Sequence, residues 1–408
     1  MGNVKTRIFL LFYAVLLAIA VFLQWAGQVN IDIDEQIIIG SGSGRAWLAD
    51  LHPPLPAFLS YNFAKLTGYS TVAFFLVSKV NSLVALWVIY LLNREFLPNR
   101  LALLATATYA GGFAFLSMSL SIDNNSILHA LWPAVALFAW RGLQNGRWAD
   151  WAWLGLFMGL ALLGKYYSVL LGASVLGAVI WVFVIRNSWQ LSQLAFAVLL
   201  SLLVFAPHLV VEVQSGFPTV AWAFASAEGT TYAGSDGRAS IPTYVLTNLA
   251  YNALGLGVVA FIAWRNSWFH RPKGLNAEEK MQLSFLVVIG LLFPLLPVLL
   301  SLLVGVSLKP SWGFNALFLT PGLLLWLAYN KDRETFAQLK WWKVSLLMPI
   351  YLSLACALII ANGFSDVSRP PAVQEFSSNI DTFWRGHTHQ NLELVNAERA
   401  RDGDDLLQ

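Results

Sequence analysis

The chain has 408 residues, of which 57% are hydrophobic and 12% charged, with a mean hydropathy of +0.62. Soluble domains carry about 25% charged residues, so a water-soluble globular fold is excluded and an all-α polytopic membrane protein is expected. A formal net charge of +3 leaves no electrostatic footprint of a nucleic-acid partner, and the single cysteine, Cys356, allows neither an internal disulfide nor a cysteine-based metal site.

Lys5 and Arg7 open the chain ahead of an apolar run, and Ala18-Ile19-Ala20 resembles a signal-peptide cleavage site. The run continues through Val21-Phe22-Leu23 to Trp25, so an uncleaved first span is expected. Apolar runs predict about eleven spans: 8–26, 71–93, 101–119, 126–143, 151–164, 167–185, 190–211, 242–264, 283–304, 313–330 and 344–362. Residues 151–185 are too long for one span, and a lysine at mid-bilayer is expensive, so this stretch is divided at Gly164-Lys165-Tyr166.

The connecting loops alternate in charge. One set holds Lys5 and Arg7, Arg94 and Arg100, Arg141 and Arg147, Arg186, Arg265 to Lys280, and Lys331 to Lys343. That is fifteen of the 25 lysines and arginines, which assigns this side to the cytoplasm, with the N-terminus inside and the C-terminus outside. Asp32, Asp34, Glu35, Asp50, His52, Asp123, Lys165, His208, Glu212 and Lys309 then share the outer face. The spans themselves hold almost no acids, unlike a proton-coupled transporter.

The first outer loop, residues 27–70, is long, and such loops are usually functional. Ile37-Ile38-Ile39, Ala46-Trp47-Leu48 and Leu55 to Leu59 suggest short interfacial helices. Gly40 to Gly44 between them reads as a hinge, not a phosphate loop. The second outer loop, 212–241, is polar and hydroxyl-rich; a mobile lid and a plain connector are both compatible with it. Residues 1–362 form the membrane domain, and the polar tail 363–408 looks too short for a core.

Several residues on the outer face fit the chemistry of group transfer from a lipid phosphate. A carboxylate can take the proton of an attacking hydroxyl, and cations or N–H groups can stabilise a phosphate leaving group. Asp34 and Glu35 suit the first role, though an acid pair also caps a helix start; Asp32 is either a further ligand or solvated. His52 stands before Pro53-Pro54, which fixes its backbone as extended. Asp123 fits an N-cap, a functional carboxylate, or both. Lys165 suits either snorkelling or a phosphate contact, and Lys309 stands before Pro310-Ser311-Trp312. His208 and Glu212 are weaker candidates.

Four blocks carry a family resemblance: Asp34-Glu35 with His52-Pro53-Pro54-Leu55-Pro56, then Ser121-Ile122-Asp123, then Gly159 to Tyr166, then Lys309-Pro310-Ser311-Trp312. In this order they resemble the polyprenyl-phosphate-sugar-dependent glycosyltransferases of the GT-C class, in the bacterial branch of the protein O-mannosyltransferase-like superfamily. That branch includes enzymes that modify lipid A with aminoarabinose or galacturonic acid. The resemblance implies a GT-C-like membrane domain and an inverting transfer from a polyprenyl-phosphate-sugar donor at the periplasmic face of a bacterial inner membrane. The acceptor would be an envelope glycan, lipid or protein. Asp34 would be the general base, with Glu35 and His52 shaping the site. Lys165, Tyr166, Lys309 and Arg45 would bind the lipid phosphate, and Asp123, Glu212 and Asp32 would be supporting carboxylates. Some members of the class use a divalent cation (Mg or Mn) and others none, so metal use stays open. Two rival functions remain: a transporter or flippase of a lipid-linked glycan, and a non-catalytic subunit that binds one.

Overall fold

A computed structural model describes residues 14–15, 18–19, 21, 52–67, 71–119, 122–228, 240–265, 274–331 and 333–334. Their regular structure is helical: α1 (Leu55–Leu66), α2 (Thr71–Arg94), α3 (Asn99–Ala110), α4 (Phe113–Met118), α5 (Leu128–Asn145), α6 (Trp148–Gly164) and α7 (Ser168–Arg186). There follow α8 (Leu191–Gln214), α9 (Pro218–Glu228), α10 (Ile241–Tyr251), α11 (Ala253–Arg265), α12 (Ala277–Val304) and α13 (Thr320–Lys331). The all-α membrane architecture expected from composition is therefore present.

Among the described residues, four helices are long and apolar enough to cross a membrane: Leu76–Arg94 within α2, α7, α8 and α12. The pair α10 and α11, bent by 71° at Asn252, makes a fifth if it is one span. The expected spans 8–26 and 344–362, and the interfacial segments at 37–39 and 46–48, lie outside the described residues. Leu55 to Leu59, by contrast, opens α1. The expected span 101–119 is broken at Gly111-Gly112 into α3 and α4, and 313–330 becomes helical only at Thr320. The loop expected at 212–241 begins inside α8 and carries α9.

Glycine spacing explains the tightest helix pair. Gly155 and Gly159 lie one turn apart on α6 and face α8. A Cβ at Gly155 would stand 2.4 Å from the Ala197 carbonyl oxygen, and one at Gly159 would stand 2.6 Å from Val204 Cβ. Small residues at this spacing let backbones approach where lipid supplies no hydrophobic drive. α5 packs on α6 in the same way, with Trp151 lying over Gly142. The Trp151 indole N–H reaches Gln190 Oε1 at 3.1 Å, so its one polar atom is satisfied inside an apolar core.

Large aromatic side chains fill the centre. Trp140 meets Phe285 at 5.1 Å between ring centroids, and Trp132 meets Phe293 at 5.1 Å. Leu199, Leu202 and Leu203 of α8 and Leu302, Leu303 and Val304 of α12 are exposed, as lipid-facing side chains should be. At one end of the bundle, polar pairs join the turns: Arg141 to Glu95 at 2.8 Å, Arg186 to Gln144 at 2.7 Å, and Arg333 to Glu279. The chemistry-bearing side chains gather at the other.

The α3–α11 crossing also depends on a glycine. A Cβ at Gly255 would fall 1.8 Å from the Thr108 carbonyl oxygen, whereas Gly177 has nothing within 4 Å. Gly255→Ala is expected to destabilise the protein by about 1–3 kcal/mol, the range for overpacking. Gly177→Ala should be neutral or slightly stabilising, because alanine is the better helix former. Thermal unfolding of both variants in detergent measures the difference.

Candidate active site

Four connections meet at this end: the segment before α1, the α4–α5 turn, the α6–α7 junction and the α12–α13 loop. The α4–α5 turn is shaped by Asp123. Its Oδ1 accepts the backbone N–H groups of Asn125 at 2.7 Å and Ser126 at 2.6 Å. Ser126 Oγ accepts the Asp123 N–H at 2.7 Å in return. Asp123 thus closes the turn that leads into α5 and does not cap the helix itself, whose N-cap is Ile127 without a side-chain bond; the turn leaves the neighbouring asparagines facing the other segments. Asn124 donates to the Gly164 carbonyl at 2.8 Å. Asn125 accepts from the Lys165 ammonium through its side chain and from Asn315 through its backbone carbonyl.

Lys165 follows the last residue of α6 in extended conformation (φ −165°, ψ 133°). The helix stops there, so the ammonium leaves the bundle wall toward Asn125 and the Trp312 ring, 5.7 Å from its centroid. Burial pushes Lys165 down to about 8; Asp123 opposes that shift and Lys309 adds to it. The loop that carries Lys309 and Trp312 lies against α10. Asn248 donates to the Pro310 carbonyl at 3.2 Å. A Cβ at Gly313 would come within 2.5 Å of Asn248 Oδ1 and 2.6 Å of the Tyr244 hydroxyl, so a larger residue would have to push these side chains aside.

His52 enters from the segment before α1. Its ring stands edge-on to Trp222 of α9, with centroids 4.3 Å apart. Burial first, then Lys165 and Lys309, hold it down to about 3, so the imidazole is neutral at ordinary pH. The same two lysines thus act on His52, which brings His52, Lys165, Lys309 and Asp123 into one neighbourhood. Neither lysine is ion-paired among the described residues. The arrangement offers two cations, a neutral ring and an amide cluster, which is the chemistry of an anion site.

Tyr166 and Glu212 lie beside this cluster. The Tyr166 hydroxyl is 2.6 Å from His208 Nε2, and Glu212 follows one turn later on α8. Asp32, Asp34, Glu35 and Arg45 lie outside the described residues. Within them no group of three or more His, Cys, Asp or Glu side chains gathers to hold a metal. Asn125, Asn315 and Trp222 were not singled out from the sequence. Asn125 had a signal, standing beside Asp123 at the edge of an apolar run; Asn315 and Trp222 had none, because their role is set by partners far away in the chain.

Residues 51–211 match the profile of the dolichyl-phosphate-mannose-protein mannosyltransferase family. Among solved structures, ArnT from Cupriavidus metallidurans bound to undecaprenyl phosphate superimposes with a TM-score of 0.58 at 17% identity, over 87% of this chain and 65% of that one. Its apo form gives 0.57 at the same identity and coverage. The chain has the GT-C fold. It spans 65% of the length of these ArnT structures. The archaeal oligosaccharyltransferase AglB from Archaeoglobus fulgidus, in complex with an inhibitory peptide and a dolichol-phosphate, is more distant. Its TM-score is 0.46 at 14% identity, over 92% of this chain and 58% of that one. No curated protein matches the sequence.

The turn makes a direct prediction. Asp123→Ala removes both acceptor contacts and should cost about 1 kcal/mol of stability. Asp123→Asn keeps an acceptor oxygen and should lose less than half of that. Thermal melts of the two variants give the comparison.

Proposed function

We propose that the chain is an inverting glycosyltransferase that moves a monosaccharide from a polyprenyl-phosphate donor to an envelope glycan, lipid or protein acceptor, at the periplasmic face of an inner membrane. The observation that carries this reading is the pairing of Lys165 and Lys309 about the neutral His52, without an ion-paired carboxylate on either lysine among the described residues. The GT-C fold and the undecaprenyl phosphate bound by ArnT support it.

The chemistry demands such a pair. A sugar linked to polyprenyl phosphate is a phosphodiester with a single negative charge. When the bond between C1 and the phosphate oxygen breaks, the departing monoester gains a second one. Fixed cations at that oxygen stabilise the transition state more than the ground state. Lys165 is held ready by Asn125, and Lys309 by a proline-bounded loop packed on α10. Asp34 takes the proton of the acceptor hydroxyl, whose oxygen attacks C1 from the face opposite the phosphate. Glu35 and His52 shape the approach, with His52 hydrogen-bonding as a neutral ring. Arg45 supplements the lysines at the phosphate, and Asp32 and Glu212 are supporting carboxylates.

The test incubates purified chain with polyprenyl-linked sugars extracted from native membranes and an acceptor extract, and measures released polyprenyl phosphate. Release is expected, and Asp34→Asn should abolish it while leaving expression and melting unchanged. Near-normal release by that variant would refute the base assignment. Carrier movement across vesicles without release would favour a flippase, and carrier binding without release or movement a non-catalytic subunit.

Binding of undecaprenyl phosphate should also depend on pH. Lys165 is charged below about 8 and loses its proton above it. Affinity is therefore expected to fall as pH rises from 8 to 9.5. Lys165→Arg, which keeps its charge throughout, should remove that fall, and Lys165→Ala should bind more weakly at every pH. Titrations in detergent at several pH values measure all three.

A further inference from the structure

Beneath the anion site lies a second polar group, built around the supporting carboxylate Glu212. The α8–α9 turn runs through Gly216 (φ 79°) and Phe217 (φ 61°). A phenylalanine in the left-handed region is strained and persists only where its surroundings fix it. Two contacts do so, both on Glu212. Its backbone carbonyl accepts the Phe217 N–H at 2.8 Å, and its carboxylate accepts the Val220 N–H at 3.4 Å. Val220 is in the first turn of α9, so Glu212 gives one of the open N–H groups there an acceptor.

Glu212 is 1% exposed and His208, one turn earlier, is 0% exposed. Their side chains approach to 4.0 Å. The Tyr166 hydroxyl meets the same nitrogen, His208 Nε2, at 2.6 Å. Tyr166 is the chain neighbour of Lys165. A row of neighbouring polar groups therefore runs from the α6–α7 junction through His208 and Glu212 to the start of α9, its longest step the 4.0 Å between His208 and Glu212. One turn into α9, Trp222 stands against His52. The row joins the lysine side of the site to the histidine side through groups buried beneath it.

We propose that Tyr166, His208 and Glu212 are positioning residues that seat α9, and through Trp222 set His52 in register with Lys165. Tyr166 thus acts by its contact with His208 and not by touching the lipid phosphate. The catalytic part of this assignment rests on the proposed transfer reaction; the seating of α9 does not.

The experiment measures hydrogen exchange of the full chain in nanodiscs, together with undecaprenyl phosphate binding and, with the native lipid-linked sugar extract, turnover. Tyr166→Phe removes one hydroxyl and keeps the ring. It is expected to speed exchange in 218–228 at least tenfold while leaving α5 and α6 unchanged. Its turnover should fall about tenfold, with half-saturating donor and undecaprenyl phosphate affinity within twofold of the parent. Glu212→Ala should reproduce the exchange effect, and Glu212→Gln, which keeps an acceptor, should recover most of it. Trp222→Ala should lower turnover without loosening α9, and Trp222→Phe should restore it.

Unchanged exchange in both Tyr166→Phe and Glu212→Ala would overturn the proposal, as would a loosened α9 with full turnover. Weaker undecaprenyl phosphate binding by Tyr166→Phe with α9 still protected would place the hydroxyl at the phosphate instead. If the parent chain itself releases no carrier, the transfer reading fails, and the exchange result alone decides whether these residues seat α9.

Discussion

Everything at the active end is organised by one difficulty: how to keep an ammonium group where water is scarce. Lys165 sits at the mouth of a bundle whose walls are leucine, tryptophan and phenylalanine. Its charge is tolerated because Asn125 supplies an oxygen, Trp312 supplies a ring face and α6 ends one residue earlier. Each provision comes from a different connection, so the lysine also dictates where those connections go. The α4–α5 turn must bring Asn125, and the α12–α13 loop must bring Trp312 and Asn315. A cation not fully compensated in this way has a lowered pKa and an appetite for an anion.

The bundle beneath supplies the rigidity that this needs. α6 and α8 touch almost backbone to backbone at Gly155 and Gly159, so the Lys165 end of α6 and the His208 end of α8 cannot drift apart. Trp132 adds to this: its indole N–H donates to Ser168 Oγ at 2.9 Å, and Ser168 donates to the Ala161 carbonyl at 2.8 Å. The junction between α6 and α7 is thereby fastened from inside the core. Buried polar contacts of this kind matter for definition of geometry more than for net stability.

The membrane class, the break at Gly164-Lys165 and the candidacy of Asp123, His52 and Lys309, which the fold brings into one neighbourhood, were legible in the sequence. All rest on residues that are costly in an apolar chain and therefore conspicuous. What could not be foreseen depends on distant partners. Nothing local marks Trp222 as the neighbour of His52, or Asn315 as a ligand of the α4–α5 turn. Periodicity also overran the helix breaks at Gly111-Gly112 and at Asn252, because both sides of each break are apolar. The 212–241 segment was expected as a loop from its polarity, yet α9 forms there with its N-terminus secured by Glu212.

α12 is not a regular helix along its whole length. Residues Val288–Leu292 form a π-type turn, and Thr320 Oγ1 donates to the Gly290 carbonyl at 2.7 Å. Such a turn adds a residue without adding a full helical step, which rotates everything beyond it. Phe285 before it meets Trp140, and Phe293 after it meets Trp132, two tryptophans eight residues apart on α5. Eight residues of an ideal helix turn through about two and a quarter revolutions, so two aromatic knobs at that separation would diverge in azimuth. The wide turn shifts the phase of α12 between Phe285 and Phe293, so that both rings reach tryptophans of α5 while the helix packs along α7.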